Sequence, residues 1–443
     1  MFPSVTLNNL PNELLLIIFQ DLDTSSLIAV SCLCRRINAL ALSQILFPRT
    51  DDLETGLCAN AMRFGGPWGR LPFNCVPALR LSFSMKHPVH FFSCQFSLVE
   101  CVKEMEQVTR LFKTGRVLEY VFLRFPEFPA VFRQPSTYSP TDCGAAFSSL
   151  LRHLHRVQSH TLDITCAPQV EYDDRTKFDG PAVGTLKDIT ISRAHFMLTD
   201  FFRDWTVSTM NLSPLTAVSL ENVDISALLP SLSLSSLQKL VIRCPDLHLS
   251  DIMPFLLRHP TIRNLTLRVT CDNATLAPGS LPELKDLSSS AECLSQLLSS
   301  PGSMLHLHSV TCYGSVTPFP ITPPPSNVVQ MLFQNVALHG AITTLDLPLS
   351  DLNISEEWLS VTPRFEHLLT GITALYIDSS INAKEESVVK QRIIESIVLF
   401  PKVETLTLFG WPRCEEFARS IKAAYPRLQK VFSGLTDISR SII

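Results

Sequence analysis

A six-residue pattern, apolar-x-x-apolar-x-apolar, recurs along most of this chain and limits the folds open to it more than any other feature. It stands at Val76-Leu79-Leu81, Val117-Tyr120-Phe122, Leu186-Ile189-Ile191, Leu215-Val218-Leu220, Leu237-Leu240-Ile242 and Ile262-Leu265-Leu267. It returns at Ile342-Leu345-Leu347, Ile372-Leu375-Ile377, Val403-Leu406-Leu408 and, shortened, at Leu428-Val431. Successive starts from Leu186 to Ile262 lie 29, 22 and 25 residues apart, and those from Ile342 to Leu428 lie 30, 31 and 25 apart. The last two apolar positions have the two-residue period of a strand with one buried face. The segments before them have helical spacing. Val389, Ile393, Ile397 and Phe400 form one stripe within 385–400, and Phe417, Ile421 and Tyr425 another within 415–425. Proline at His259-Pro260, Phe400-Pro401 and Tyr425-Pro426 stops a helix shortly before the next unit begins.

One helix and one short strand cannot bury their own apolar face, so such units must stack on their neighbours. The series resembles the leucine-rich-repeat solenoid in its irregular, long-repeat form. That resemblance implies an α/β fold with a parallel sheet on a concave face and helices outside. The Asn of the strict repeat is mostly missing, although Asn222 stands near its place after Leu220. The units are weakest over 283–341, where degenerate copies are expected at Leu284-Lys285-Asp286-Leu287 and around Leu305 to Val310. An open parallel α/β sheet also alternates helix with strand and is the competing architecture. Loops are expected at 126–140, 167–184 and 318–325. The last of these holds a triple proline, which suits either a stiff extended spacer or a segment read by a proline-binding domain.

Ahead of the repeats lies the run Leu10-Pro11-Asn12-Glu13-Leu14-Leu15-Leu16-Ile17-Ile18-Phe19, followed by Leu22-Asp23 and Leu27. Pro11 suits a first helical turn and Glu13 complements the helix dipole there. Asp23 or Thr24 can cap a second helix, in which Leu27, Val30, Cys34 and Ile37 recur at three- and four-residue steps. The string Leu10-Pro11-x-Glu13-Leu14, Ile18, Leu22-Asp23, Leu27, Val30-Ser31-x-Leu33-Cys34-Arg35-Arg36 resembles the F-box, the small helical module that docks on the Skp adaptor of SCF ubiquitin ligases. Ile37 departs from the family, which usually has an aromatic residue after the Arg pair. The resemblance covers roughly a tenth of the chain. It implies adaptor contacts through Leu10, Pro11, Leu14, Ile17, Ile18, Leu22 and Leu27, and through the adaptor a cullin scaffold. The plain alternative is a helical hairpin that caps a larger domain. The expected organisation is a helical module at 1–47, a linker at 48–75 and the solenoid at 76–443.

Composition narrows the function. A net charge of −4 with no Lys/Arg cluster gives no case for nucleic acid. No run reaches the roughly 20 apolar residues that span a bilayer, so no membrane partner is expected. The first residues carry no Lys or Arg and no small-residue cleavage site, unlike a secretory signal. The sequons at Asn211, Asn264, Asn273 and Asn353 then carry no weight. Thirteen cysteines, an odd number in irregular spacing, suit buried thiols in a reducing compartment better than a disulfide framework. Cytoplasm or nucleus is the expected location.

Catalytic patterns do not emerge. His153-x-His155 and His306-x-His308 place two imidazoles on one side of a strand but lack a third ligand nearby. Gly65-Gly66 lacks the strand-to-helix setting of a phosphate-binding loop, and no Gly-x-Ser-x-Gly elbow occurs. The chain is expected to be no enzyme and to need neither metal nor cofactor. What the repeats offer is a surface. Thr190, Ser219, Val241, Thr266, Asp346, Tyr376, Thr407 and Phe432 are expected on the concave face. Its first half is expected to be small and polar, and its second half to carry the aromatics Tyr376, Phe409, Trp411 and Phe432. Those four are candidate target-binding residues, with capping of the last repeat as the alternative for Trp411 and Phe432. The chain thus looks like a substrate-recognition subunit of an SCF-type ligase, with a leucine-rich interaction scaffold as the alternative.

Overall fold

Within each unit the strands pair with the next strand in the chain, in parallel except at the last. The computed structural model describes residues 7–46, 61–64, 89–97, 99–115, 117–125, 140–166, 177–313, 326–348, 369–378, 390, 393–394, 397–409, 414–433 and 436–437. These residues divide between two units, 1–223 and 224–443. In the first, helices α1 (Asn12–Gln20), α2 (Thr24–Ser31) and α3 (Arg35–Leu46) precede β1 (Ala61–Phe64) and β2 (Val89–Gln95). Then come α4 (Cys101–Phe112), β3 (Leu118–Arg124), α5 (Pro140–Leu154), β4 (Thr161–Thr165), β5 (Asp188–Ser192), α6 (Asp200–Leu212) and β6 (Ala217–Glu221). From β1 to β6 each strand is parallel to the one before.

The second unit runs β7 (Lys239–His248), α7 (Leu249–Arg258), β8 (Asn264–Thr270), β9 (Asp286–Ser290), α8 (Ala291–Leu297) and β10 (Ser309–Tyr313). It continues through α9 (Ser326–Leu338), β11 (Thr344–Pro348), β12 (Ala374–Asp378), β13 (Thr405–Phe409), α10 (Cys414–Ala424), β14 (Lys430–Ser433) and β15 (Thr436–Asp437). Strands β7 to β14 are parallel in chain order, and β15 returns antiparallel to β14. A doubly wound sheet reverses its strand order at a switch point. Among the described residues neither unit contains such a reversal.

The pattern of apolar residues sets this arrangement. In β5, β6 and β10 alternate residues are buried, and the second and fourth strand positions, the last two apolar positions of each repeat, fill the core. Leu240, Ile242, Leu265, Leu267, Leu345, Leu375, Leu406 and Leu408 are all closed off from solvent. A second link joins the repeats. The carbonyl of the residue just before most strands takes two consecutive N–H groups from the following repeat. Arg263 and Asn264 donate to Gln238 at 2.7 and 3.0 Å, and Lys285 and Asp286 donate to Arg263 at 2.8 and 3.0 Å. The same pairing runs on through Lys285, His308, Thr343, Thr373 and Glu404 as acceptors, and in the first unit through His160 and Lys187.

The strand exits of the first unit also repeat. Cys166, Arg193 and Asn222, each the residue after a strand, have φ of 63, 55 and 50°. Asn tolerates that left-handed conformation better than most residues, so Asn222 serves a turn that Cys166 and Arg193 make without it. In the same unit Phe147 packs edge-on against Phe125, Phe196 and Phe202 at 5.5, 4.8 and 5.7 Å between centroids.

Several expectations need correction. In β3 the buried residues are Leu118, Val121 and Leu123, one position along from Val117, Tyr120 and Phe122. A one-residue slip moves a strand's whole apolar set to the other face. Strand β1 lies within the expected linker 48–75 and pairs with β2. Strand β4 escaped the pattern because its first position is Ser159, a buried residue whose hydroxyl donates to the Glu119 and Thr161 carbonyls at 3.2 and 2.6 Å. Both degenerate copies within 283–341 exist as β9 and β10. The first carries Ser289 where other repeats have Leu or Ile, and its buried hydroxyl donates to the Leu267 carbonyl at 2.8 Å. His153 and His155 lie in α5 and the short helix after it, not on a strand, and their Nδ1 atoms meet the Ser149 and Arg152 carbonyls. The repeat at Val76 and the segments 126–139, 167–176 and 318–325 lie outside the described residues.

Cysteine use is mixed. Burial pushes the Cys101 thiol up to about 12 and raises that of Cys143, so both behave as small apolar groups. Cys271 and Cys293, however, form a disulfide between the end of β8 and the first turn of α8. This corrects the expectation that all thirteen are thiols; residues 22 apart in the chain meet because their strands are neighbours.

His259 closes the α7 repeat. Its buried ring stacks on Phe255 at 4.0 Å, Nε2 accepts the Leu234 N–H at 2.9 Å, and Nδ1 meets the Phe255 carbonyl at 2.7 Å. Those bonds require the neutral ring, and burial lowers its pKa below 6.5. The unfolded chain therefore binds the proton more readily. The stabilisation is complete above the unfolded value and falls as pH drops through it towards the folded value. Urea unfolding between pH 7.5 and 5.5 is expected to show wild type losing stability faster than His259→Gln; parallel losses would refute this. Ser289→Ala is expected to cost about 0.5–1.5 kcal/mol in the same assay, although Ala fits the apolar pattern better than Ser.

Candidate functional site

The N-terminal helices close around a small core of their own. The chain enters α1 from Pro11, whose φ of −54° suits helix entry, and Glu13 sits in the favourable first turn. Leu15 and Phe19, four residues apart, point inward to Leu27 of α2 and to Ile37 and Ala41 of α3. Asp23 caps α2, accepting the Ser26 N–H at 2.7 Å and the Ser25 hydroxyl at 3.0 Å. These bonds, the backbone one first, hold its carboxyl below the usual carboxylate range. Arg36 ties α3 to the start of α1: Nε donates to Asn12 Oδ1 at 2.9 Å and Nη2 to the Leu10 carbonyl at 2.6 Å. Asn38 is buried, and its Nδ2 donates to the Ser31 carbonyl at 2.8 Å.

The other side of α1 stays open. Leu14, Ile17 and Ile18 are 47, 57 and 40% exposed, and their spacing of three and four puts them on one face. Pro11 is exposed beside them at the helix start. Leu10 and Leu22 are half-buried against the module's core, so only part of each is available to a partner. Leu27 is 7% exposed and belongs to that core; its place is internal packing, not contact. Leu33, part of the family-like string but not among the expected adaptor contacts, is 65% exposed between α2 and α3. Its signal was an apolar residue out of step with the helical period of its neighbours.

The second candidate surface is the outward face of the sheets. Registers place Asp163, Thr190 and Ser219 in one cross-strand row of the first unit. Val241, Thr266, Ser288 and Thr311 share a row in the second unit, which runs on through Asp346, Tyr376, Thr407 and Phe432. Tyr376 and Phe432 are half-buried in that row, with buried Thr407 between them. Phe409 pairs through its backbone with Asp378, its side chain falls outside what is described, and Trp411 lies outside the described residues.

The first half of the face is not uniformly small and polar. Phe91, Tyr120 and Phe122 stand on β2 and β3, with Phe91 centred 4.9 Å from Phe122 and 6.5 Å from Tyr120. They escaped notice because of the slip in β3, which had assigned Tyr120 and Phe122 to the core. Asp163 is half-buried on this face; burial raises its pKa, against the opposing effect of the Thr165 hydroxyl that donates to it at 2.8 Å.

Among the described residues, no group of three His, Cys, Asp or Glu side chains could hold a metal ion. Among the same residues no helix is long and apolar enough to cross a membrane. His308 Nδ1 meets the Ala341 carbonyl at 3.3 Å, and Cys32 and Cys34 are exposed and half-buried thiols.

No curated protein matches the chain. The stretch that contains the open face of α1 does match a family model: residues 7–51 are similar to the F-box-like domain.

Proposed function

We propose that this protein is the substrate-recognition subunit of an SCF-type ubiquitin ligase. The F-box-like domain docks on the Skp adaptor through Pro11, Leu14, Ile17 and Ile18, with Leu33 and the accessible edges of Leu10 and Leu22 alongside. The adaptor joins it to a cullin scaffold. The repeats form a leucine-rich-repeat-like solenoid, and their outward sheet face holds a target protein, with Tyr376, Phe432, Phe409 and Trp411 among the contacts. The chain performs no chemistry and works in the cytoplasm or nucleus. It promotes degradation of the target by proximity, since a held target reacts as if the transfer were intramolecular.

One observation carries this reading. Helix α1 has large apolar residues on two sides, and only one side is used: Leu15 and Phe19 complete the module's core, while Leu14, Ile17 and Ile18 remain exposed. Exposed apolar clusters of this kind mark interaction sites, and this one stands on a domain of the F-box-like family. In support of the solenoid, consecutive repeats use the same paired donation to one carbonyl even where spacing and apolar pattern weaken.

The test is co-purification with the adaptor. A Leu14→Ala/Ile17→Ala/Ile18→Ala variant leaves Leu15, Phe19, Leu27, Ile37 and Ala41 untouched. It is expected to bind the adaptor about a hundredfold more weakly, as loss of central apolar anchors does. Helical content and thermal midpoint should hold. Undiminished adaptor binding by a folded triple variant would show that the docking surface is wrong.

A further inference from the structure

We propose that the outward face of β7 to β10 binds an acidic peptide segment, holding its oxyanion at Arg268 with Arg243 alongside. This rests on the reading of the sheet face as the target surface and names the chemistry of what it takes. Register pairs Arg243 on β7 directly with Arg268 on β8, and both side chains are half-buried on the outward face.

Arg268 carries the stronger signal. Its guanidinium lies over the Tyr313 ring, 4.6 Å from the centroid, which fixes the plane of the fork. Its Nε is buried and lacks a hydrogen-bond partner. Among the described residues the guanidinium forms neither hydrogen bond nor ion pair. A buried, charged donor in a held orientation with nothing to donate to is the arrangement a carboxylate or phosphate completes, since either can accept two parallel bonds from the fork.

The neighbouring row fits the same occupant. Thr266, Ser288 and Thr311 stand in register across three adjacent strands, so hydroxyls border the arginines. Asp286 is held by the Asn264 amide at the start of the strands, and Asp346 stands on β11. Arg268 thus presents an unpartnered positive charge beside hydroxyl donors on a chain whose overall charge is −4.

The oxyanion can be a glutamate or aspartate carboxylate or a phosphorylated hydroxyl, and one experiment separates these sources. Fluorescence anisotropy with the full chain would compare three labelled peptides in the same Gly-Ser frame: four glutamates, one phosphoserine, and four glutamines. At least one acidic peptide is expected to bind ten times or more tighter than the glutamine peptide, and the tighter one identifies the source. Arg268→Gln is expected to weaken that binding at least tenfold. Arg268→Lys keeps the charge but loses the fork and the ring contact, and should weaken it several-fold; Tyr313→Leu should do the same.

Failure of the acidic peptides to outbind the glutamine peptide would overturn the proposal. So would wild-type affinity in Arg268→Gln, or in Arg268→Lys and Tyr313→Leu if Arg268→Gln fails to fold. Adaptor co-purification, measured on the same proteins, should not change. Its loss in the α1 triple variant concerns docking alone, so the two readings fail separately.

Discussion

The paired hydrogen bonds to one carbonyl, repeated from each repeat to the next, are the constraint from which the rest of the structure follows. Two consecutive N–H groups can reach a single acceptor only if the second chain segment enters its strand beside the first at a set height. That geometry fixes which residue of the next repeat faces Gln238, Arg263, Lys285 or His308, and so fixes the register of the strands. With register fixed, alternation decides burial: residues such as Leu265 and Leu287 fall in line on the inner side, Thr266 and Ser288 on the outer. The backbone term does not depend on side-chain identity. It therefore survives where the apolar pattern fails, as at Ser289.

This explains what was legible in the sequence and what was not. Repeats with Leu, Ile or Val at all three positions announced themselves, and Thr190, Ser219, Val241, Thr266, Asp346, Tyr376 and Phe432 alternate with buried neighbours as expected, whereas Thr407 is itself buried. Repeats that replace one apolar residue by a hydrogen-bonded serine were hidden, because Ser159 and Ser289 are buried by virtue of partners that no one-dimensional pattern reveals. The slip in β3 has a different cause. Val117, Leu118, Tyr120, Val121, Phe122 and Leu123 are nearly continuous in apolar character, so two registers satisfy the pattern and only pairing with β2 and β4 chooses between them. The aromatic group at Phe91, Tyr120 and Phe122 was lost with that choice. In the helical module the family motif pointed to the right segment. It could not separate Leu27, which packs inside, from Leu14, which does not, because both belong to the same apolar string.

The two kinds of surface follow from this difference in construction. On α1 the exposed residues are large, apolar and rigidly backed by a closed core, which suits a partner that always offers the same apolar complement. On the sheet face the outward residues are mostly hydroxyls and charges at intervals fixed by strand spacing, with aromatics at a few positions. Such a face has little affinity for apolar surface in general. It acts through the few side chains that are held and unsatisfied, as the guanidinium of Arg268 is.

Held charge also accounts for how such a face can discriminate. A lysine at position 268 would rotate freely into water and meet its own hydration needs, leaving little gained on binding. An arginine fixed against Tyr313 with a buried, unpartnered Nε has already lost part of its hydration in the free protein. The cost of desolvation is thus carried by folding, within a sheet whose backbone bonds can bear it, and not by association. A ligand that supplies an oxyanion at that spot gains a charge-assisted pair without stripping water from the arginine first. A ligand with a neutral amide there leaves the guanidinium as unsatisfied as before and gains far less. Selectivity for an acidic segment is then a consequence of strand register, since it is the pairing of β7, β8 and β10 with their neighbours that brings Arg243, Arg268 and Tyr313 to one place.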